Sequence, residues 1–389
     1  MVGMSLAIAL ARVEIKVAVI EREAASAQLQ PSFDGRVSAI AHGSKCLLDG
    51  IGIWKFMAGE AEPIQDIRVS DGNTPFFLHY DHREVGDNPF GYIVENRHIR
   101  HALSQVVSAL PSLAVFYNCT VKNFERDEVG VTLSLNNGET LRCRLLIGAD
   151  GRQSSVRLQA GIGAVEWKYR QTAIVCTIHH QYSHEGLAQE RFLPAGPFAV
   201  LPMRENRSSL VWVEPDDRVR MYLDLDEEDF VQEIRERVGD YLGEIGASGP
   251  RFSYPLSLMH AKTYIGHRLA LIGDAAHGIH PIAGQGVNLG FRDVGVLAEL
   301  IIERFRVGLD IGGADMLAHY QRWRRFDNVA MLAATDGLNR LFSTNFIPIK
   351  MARGLGLWAV GKIPPLKRFF MRDAMGVMGD MPKMIKENS

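Results

Sequence analysis

Residues 269–290 read LALIGDAAHGIHPIAGQGVNLG, and this stretch decides the fold. Its apolar run Leu269–Ile272 is strand-like and delivers Gly273 and Asp274 at its end, where open α/β sheets gather their ligands. A loop holding His280 and Pro281 follows, and Gly284-Gln285-Gly286 then opens a helix. Glycines at a helix start leave backbone N–H groups free to approach an anion or a developing negative charge. The pattern predicts an α/β domain of the Rossmann type, and it suits a ligand that becomes negative on reduction.

The chain start carries a second piece of the same architecture. In MVGMSLAIALARVEIKVAVIERE, residues 1–23, Gly3 fits the third glycine of a G-x-G-x-x-G turn and Ala7 lies one helical turn on. The β-branched run Ile15–Ile20 ends at Glu21, the position of the acid that binds an adenosine ribose. The first strand and first two glycines of a complete unit have no counterpart in these residues. We therefore expect the chain as written to bind its nucleotide weakly and to fold poorly, because each unpaired buried backbone group costs about 1–3 kcal/mol. A signal-peptide reading of Val2–Ala11 lacks a basic segment in front of it, and a strand-like run follows directly.

A length of 389 residues suggests two domains or one large one, since single cores stop growing near about 250–300 residues. With 47% hydrophobic and 23% charged residues, the composition is that of a globular enzyme, and a net charge of −2 gives no reason to expect nucleic acid as a partner. Cys46, Cys119, Cys143 and Cys176 lack C-x-x-C spacing, so no zinc site or disulfide framework is indicated and a reducing cytoplasm fits.

We divide the chain into a first part of a nucleotide-binding domain (1–165), a sheet-based module for substrate (166–265, with strands from 60–95 as candidates to join it), a second part of the nucleotide domain (266–345) and a C-terminal tail (346–389). FDGRVSAIAHGSKCLLDGIGIW, from Phe33, reads as a loop leading into a helix. ENRHIRHALSQVVSAL, from Glu95, has helical spacing, and GVTLSLNNGETLRCRLLIGAD, from Gly130, alternates on both sides of Asn137-Gly138 as a hairpin does. TAIVCTIHH, FAVLP and SSLVWVEP read as strands, DEEDFVQEIRERVGDYL as an amphipathic helix, and Met316–Phe342 as helical.

Three separated motifs together resemble the aromatic-hydroxylase class of FAD monooxygenases: Gly3-x3-Ala7 with Glu21, GADGRQSSVR (Gly148–Arg157), and GDAAHGIHPIAGQGVNLG (Gly273–Gly290). Within that class the chain is most similar to the ubiquinone-biosynthesis hydroxylases of the UbiH type. The similarity rests on DGRVSAI, GYIVENRHIRHAL, WKYRQTAIV, ERFLPAGPFAVLPM, SLVWVEP, YPL, YQRWRRFDN and TDGLNRLF, and extends over nearly the whole chain. The resemblance implies FAD as cofactor, NADH or NADPH as transient reductant, and O2 and a polyprenylated phenol as substrates. It implies that Asp274 bonds the ribityl chain and Glu21 the adenosine ribose. Asp150 and Gly151 lie in a motif that contacts FAD and NAD(P)H, with Arg157 supporting that turn. Arg36 lies near the pyrophosphate or the nicotinamide, and Asn96 and Arg100 begin a helix touching the flavin chain. Gly284 and Gln285 lead to Gly286, Val287 and Asn288, which meet the isoalloxazine ring through backbone groups, while His280 and Pro281 border the reaction pocket. No protein nucleophile and no metal is expected, because the flavin carries the chemistry.

Between Leu341 and Ser389 the sequence has eight Lys or Arg against three acids, mixed with Phe, Met, Leu and Trp. Such a tail either lies at an anionic membrane surface or docks on its own protein, on a twin subunit or in a biosynthetic complex. The location implied is cytoplasmic, with the inner face of a membrane as the place such a tail would meet. Two other functions stay open at this point: a flavin monooxygenase of a soluble aromatic acid or phenol, and a flavin-free assembly subunit of a quinone-synthesis complex.

Overall fold

The computed structural model describes residues 1–28, 35–72, 77–279, 284–343, 353, 356 and 359–385. It begins with α1 (Val2–Ala11), a helix of small and aliphatic residues buried from Ser5 onward. A helix apolar all round belongs in a core. A turn with Glu14 at φ 65° leads to β1 (Val17–Glu21), followed by the short α2 (Ala25–Gln28).

Val37–Ala41 is a strand, β2, rather than part of a loop before α3 (His42–Gly50). The local sequence carries no turn signal that forbids this, and the segment gains a ladder with β6 (Gly91–Glu95), whose other edge holds β3 (Glu62–Ile64). After α4 (Asn96–Val107), β7 (Leu113–Tyr117) pairs with β1 in parallel. The strands β8 (Val121–Arg126), β9 (Val131–Leu135) and β10 (Thr140–Cys143) form a meander, and Gly138 turns β9 into β10 at φ 90°. β11 (Leu146–Gly148) precedes α5 (Ser155–Gln159).

The second layer is an eight-stranded sheet. It contains β12 (Ala164–His180), β13 (Leu187–Leu193), β14 (Gly196–Met203), β15 (Arg207–Pro215) and β16 (Ile245–Ala261), together with β4 (Asp66–Asp71) and β5 (Phe77–Asp81) from the first hundred residues. Its outer face is covered by α6 (Asp216–Leu223) and α7 (Glu227–Val238), which bury Trp212, Phe198 and Phe230 in one cluster. α7 starts where the Asp226 side chain accepts the Asp229 N–H at 2.9 Å and stops at Gly239, φ 81°. The sequence's acid-rich first turn is the local cause of that helix start.

The chain then returns through β17 (Ile265–Gly266) and β18 (Leu269–Leu271), the latter parallel to β11, and β19 (His277–Gly278) joins the edge of the large sheet. α8 (Gly286–Arg306) and α9 (Ala314–Ser343) follow, and α8 packs on α1. α10 (Pro364–Ala374) buries Met371, and Met375 just beyond it, among Leu78, Tyr80, Phe90 and Ile93. Two pieces of parallel sheet, β1 with β7 and β11 with β18, thus flank α1, and among the described residues no strand joins them.

Candidate active site

Around the N-terminus of α1 lie Gly3, Glu21, Arg36, Asn96, Arg100 and Asp150 of the predicted residues. No side chain caps this end, so its first-turn N–H groups are available to an anion. Gly3 lies so close to the end of β11 that a Cβ there would stand 2.8 Å from that of Ala149. Val2 fills the space beside two other glycines: a Cβ on Gly273 or Gly290 would come within 3.2 and 2.7 Å of it. Burial lowers the pKa of the Met1 amine, and Glu21, Arg100 and Asp274 all act on it electrostatically. One acid from the end of β1, one base from α4 and one acid from the turn after β18 therefore surround a single helix start.

A cleft of about 2080 Å³ opens from this point and is lined by Gly3, Glu21, Arg36, Asn96, Arg100 and Asp150 among others. Glu21 accepts the Glu23 N–H at 2.9 Å, which orients the carboxylate at the strand end. The Asn96 N–H donates to the Arg36 carbonyl at 3.0 Å and Ser38 Oγ donates to Asn96 Oδ1 at 2.7 Å, so the two loops share one backbone frame. The Arg36 guanidinium lies 5.8 Å from the Tyr254 ring centroid, linking this frame to the large sheet.

Asp150 does something more local. Its carboxylate accepts Ser154 Oγ, Ser155 Oγ at 3.1 Å and the Val156 N–H at 3.1 Å, which fixes the start of α5. Gly151 beside it has φ 84°, a conformation that favours glycine, and no atom lies near its missing side chain. Arg157 spans two motifs by donating to the carbonyls of Ala275 at 3.0 Å and Arg152 at 2.9 Å.

Asp274 is exposed on the turn after β18, between buried Gly273 and Ala275. That turn is held from below by Asp293 of α8. Asp293 Oδ2 accepts the Gly273 N–H at 2.9 Å and lies 2.6 Å from His277 Nε2, while Arg324 Nε of α9 donates to Oδ1 at 2.8 Å. All three side chains are buried. Burial works to raise the Asp293 carboxyl, but the charges and hydrogen bonds of His277 and Arg324 prevail and hold it at about 2.

Gly284 has φ 61°, and a Cβ on it would meet that of Ala39 at 2.9 Å. Gln285 caps α8 without a side-chain bond, leaving the first-turn N–H groups of Gly286, Val287 and Asn288 unclaimed by a cap. The Asn288 side chain itself is committed to β2: it accepts the Ala41 N–H at 2.9 Å and donates to the Ala39 carbonyl at 2.8 Å. Gly284–Asn288 and Asp274 do not line the large cleft. His280 and Pro281 lie outside the described residues.

Residues 1–333 match the family model described as FAD binding domain. The chain is 51% identical over 378 residues to the ubiquinone hydroxylase UbiL of Rhodospirillum rubrum, covering 97% of this chain and 88% of that protein. It is 34% identical to the mitochondrial ubiquinone biosynthesis monooxygenase COQ6 of Danio rerio, over 88% of this chain and 80% of that one. The chain belongs to the ubiquinone-biosynthesis family of FAD-dependent hydroxylases. The p-nitrophenol 4-monooxygenase PnpA of Pseudomonas putida shares its fold, with a TM-score of 0.79 at 20% identity over 96% of this chain and 95% of that one.

Glycine suits the contact of α1 with the end of β11 and that of the turn before α8 with β2, since a Cβ at Gly3 or Gly284 would come within 2.8 or 2.9 Å of a neighbouring Cβ. Sequence reasoning overlooked Asp293 and Arg324. Their signal was a charge inside the apolar helix NLGFRDVGVLAEL and a second in YQRWRRFDN, but only packing pairs them across 31 residues.

Proposed function

We propose that this protein hydroxylates the aromatic ring of a polyprenylated phenol in ubiquinone biosynthesis, using FAD, NAD(P)H and O2. The observation that carries the reading is its 51% identity, over nearly its whole length, to a protein named ubiquinone hydroxylase. The geometry supports it through a cradle of suitable donors and acceptors. The first turn of α1 would face the pyrophosphate, Glu21 the adenosine ribose, and Asp274 the ribityl hydroxyls. Arg36, Asn96 and Arg100 would border the same chain, with Gly284, Gln285, Gly286, Val287 and Asn288 at the ring end.

Bound FAD supplies the redox chemistry, passing electrons from NAD(P)H to O2 and one oxygen atom to the ring. The protein's own part is orientation and electrostatics. The N–H groups at the start of α8, which no side chain caps, would stabilise negative charge without reorganising. Asp293 holds the Gly273 N–H and His277, so that Asp274 keeps its position. The motif of Asp150 and Gly151 supports contact with NAD(P)H chiefly by fixing α5.

A long apolar substrate calls for a route to lipid. Among the described residues no helix is long and apolar enough to cross a membrane. α10 offers an in-plane alternative: Ile363, Leu366, Phe369 and Phe370 are 47, 36, 50 and 40% exposed, and Lys362, Arg368 and Arg372 lie beside them. Its opposite side docks on the protein through Met371, and Lys367 pairs with Glu84 at 2.6 Å. We read α10 as a surface that rests on anionic lipid while anchored to its own fold.

The test is a turnover of FAD-loaded protein with NADPH or NADH, ¹⁸O2 and a 2-polyprenylphenol. The expected product gains one ¹⁸O on the ring. NAD(P)H oxidation that yields only peroxide with every prenylated phenol overturns the reading.

A further inference from the structure

Cross-strand partners lie on the same face of a sheet. By register, Val69, Glu190, Ala199, Val211, Val175 and Phe252 form one row across β4, β13, β14, β15, β12 and β16. This is the inner face, opposite Trp212 and its helices. Glu190 is the one ionisable side chain in the row.

Its flanks are largely apolar, with the buried hydroxyls of Ser209 and Thr177 further along the neighbouring row. Ala188 and Leu201, one step along, cluster with Ala39 of β2, whose carbonyl is held by Asn288. Phe192, one step the other way, stacks on Phe342 of α9 with ring centroids 3.9 Å apart. Glu190 therefore stands between the α8 turn assigned to the flavin ring and the end of α9. Its side chain has no hydrogen bond or ion pair among the described residues. The titratable groups nearby face one another instead. Asp71 pairs with Arg353 at 3.0 Å beside Phe192, and Asp336 of α9 pairs with Arg340 and accepts from Tyr169. Tyr80 of β5 lies one row away and β2 contributes no charge. Burial alone pushes the Glu190 carboxyl up to about 7.

A largely apolar wall whose ionisable acceptor has no hydrogen-bond partner among the described residues is complementary to a phenol, an apolar ring with a single O–H donor. We propose that Glu190 binds the phenolic hydroxyl of the substrate, orienting the ring against the inner face and taking its proton during oxygen transfer. The O–H bond breaks, its electron pair stays on the ring oxygen and enriches the ring carbons, and the proton resides on the carboxylate until product forms. This rests on the phenol reading above.

The test uses FAD-loaded full chain with 2-prenylphenol and its O-methyl ether. Wild-type protein is expected to bind the phenol about tenfold more tightly than the ether, measured by perturbation of flavin absorbance. Glu190→Gln should keep FAD content and fold, lose that preference, and lower kcat for hydroxylation on the order of 10²-fold. The wild-type rate should rise with pH through about 7 as the carboxylate forms, and this limb should vanish in the variant. A variant retaining both the limb and a kcat within about twofold of wild type overturns the proposal. If wild-type protein binds the phenol without hydroxylating it, the function fails but the contact is still decided: equal affinity for phenol and ether in wild type overturns it, and a preference abolished in Glu190→Gln supports it.

Discussion

Asp293 is a fully buried carboxyl and Glu190 a half-buried one, and their opposite fates follow from their partners. Asp293 meets His277, Arg324 and a backbone N–H, so its charge is compensated on every side. Its pKa falls from 3.8 to about 2, so the stabilisation is complete above about pH 4 and lost as pH falls toward 2. Replacing it with Asn leaves Arg324 and His277 buried with a neutral partner. We expect a loss of about 3 kcal/mol at neutral pH by urea denaturation, with the gap to wild type closing as the medium is acidified. Glu190 has the reverse sign. Its folded pKa lies above the ordinary 4.5, so charging it opposes folding and stability falls as pH rises from about 4.5 to about 7. Glu190→Gln should therefore stabilise the protein by about 1–3 kcal/mol at pH 8 and by little at pH 4. Equal thermal shifts at both pH values would contradict a desolvated carboxyl.

At the scale of elements, the contact of α1 with the end of β11 sets where the helix start points. A Gly3→Ala methyl would meet the Cβ of Ala149 at 2.8 Å, so the helix must shift. Overpacking of this kind costs about 1–3 kcal/mol, and FAD affinity measured by fluorescence quenching should fall along with Tm. The facing edges of β1 and β11 carry backbone groups that no described strand pairs.

On the scale of the whole molecule, the large sheet, the nucleotide fold and the C-terminal segment close on one another. Met381 and Ile385 enter the main core, and Trp323 Nε1 donates to the Asp380 carbonyl at 2.8 Å. The tail is thus a wall of the protein on one side and an exposed apolar surface on the other. Phe369→Ser with Phe370→Ser should leave turnover of a short-chain phenol unchanged and abolish cosedimentation with vesicles containing anionic lipid. Equal binding to neutral and anionic vesicles by wild type would remove the role of the flanking basic residues.

Much of this was legible in the linear pattern, for physical reasons. Glycines beside a strand end, an acid closing a β-branched run and the Asn137-Gly138 hairpin are local devices, whose geometry follows from neighbours in sequence. The alternating and helical stretches likewise declared their elements, while Val37–Ala41 became a strand only because β6 lies beside it. What tertiary structure alone decided is the pairing of distant charges and the facing of surfaces. Asp293 finds Arg324 only when α8 packs on α9, and Glu190 reaches the inner face only when β13 is registered between β4 and β14. A carboxyl's chemistry depends on the water and charge around it, and the order of residues along the chain does not specify these until the chain is folded.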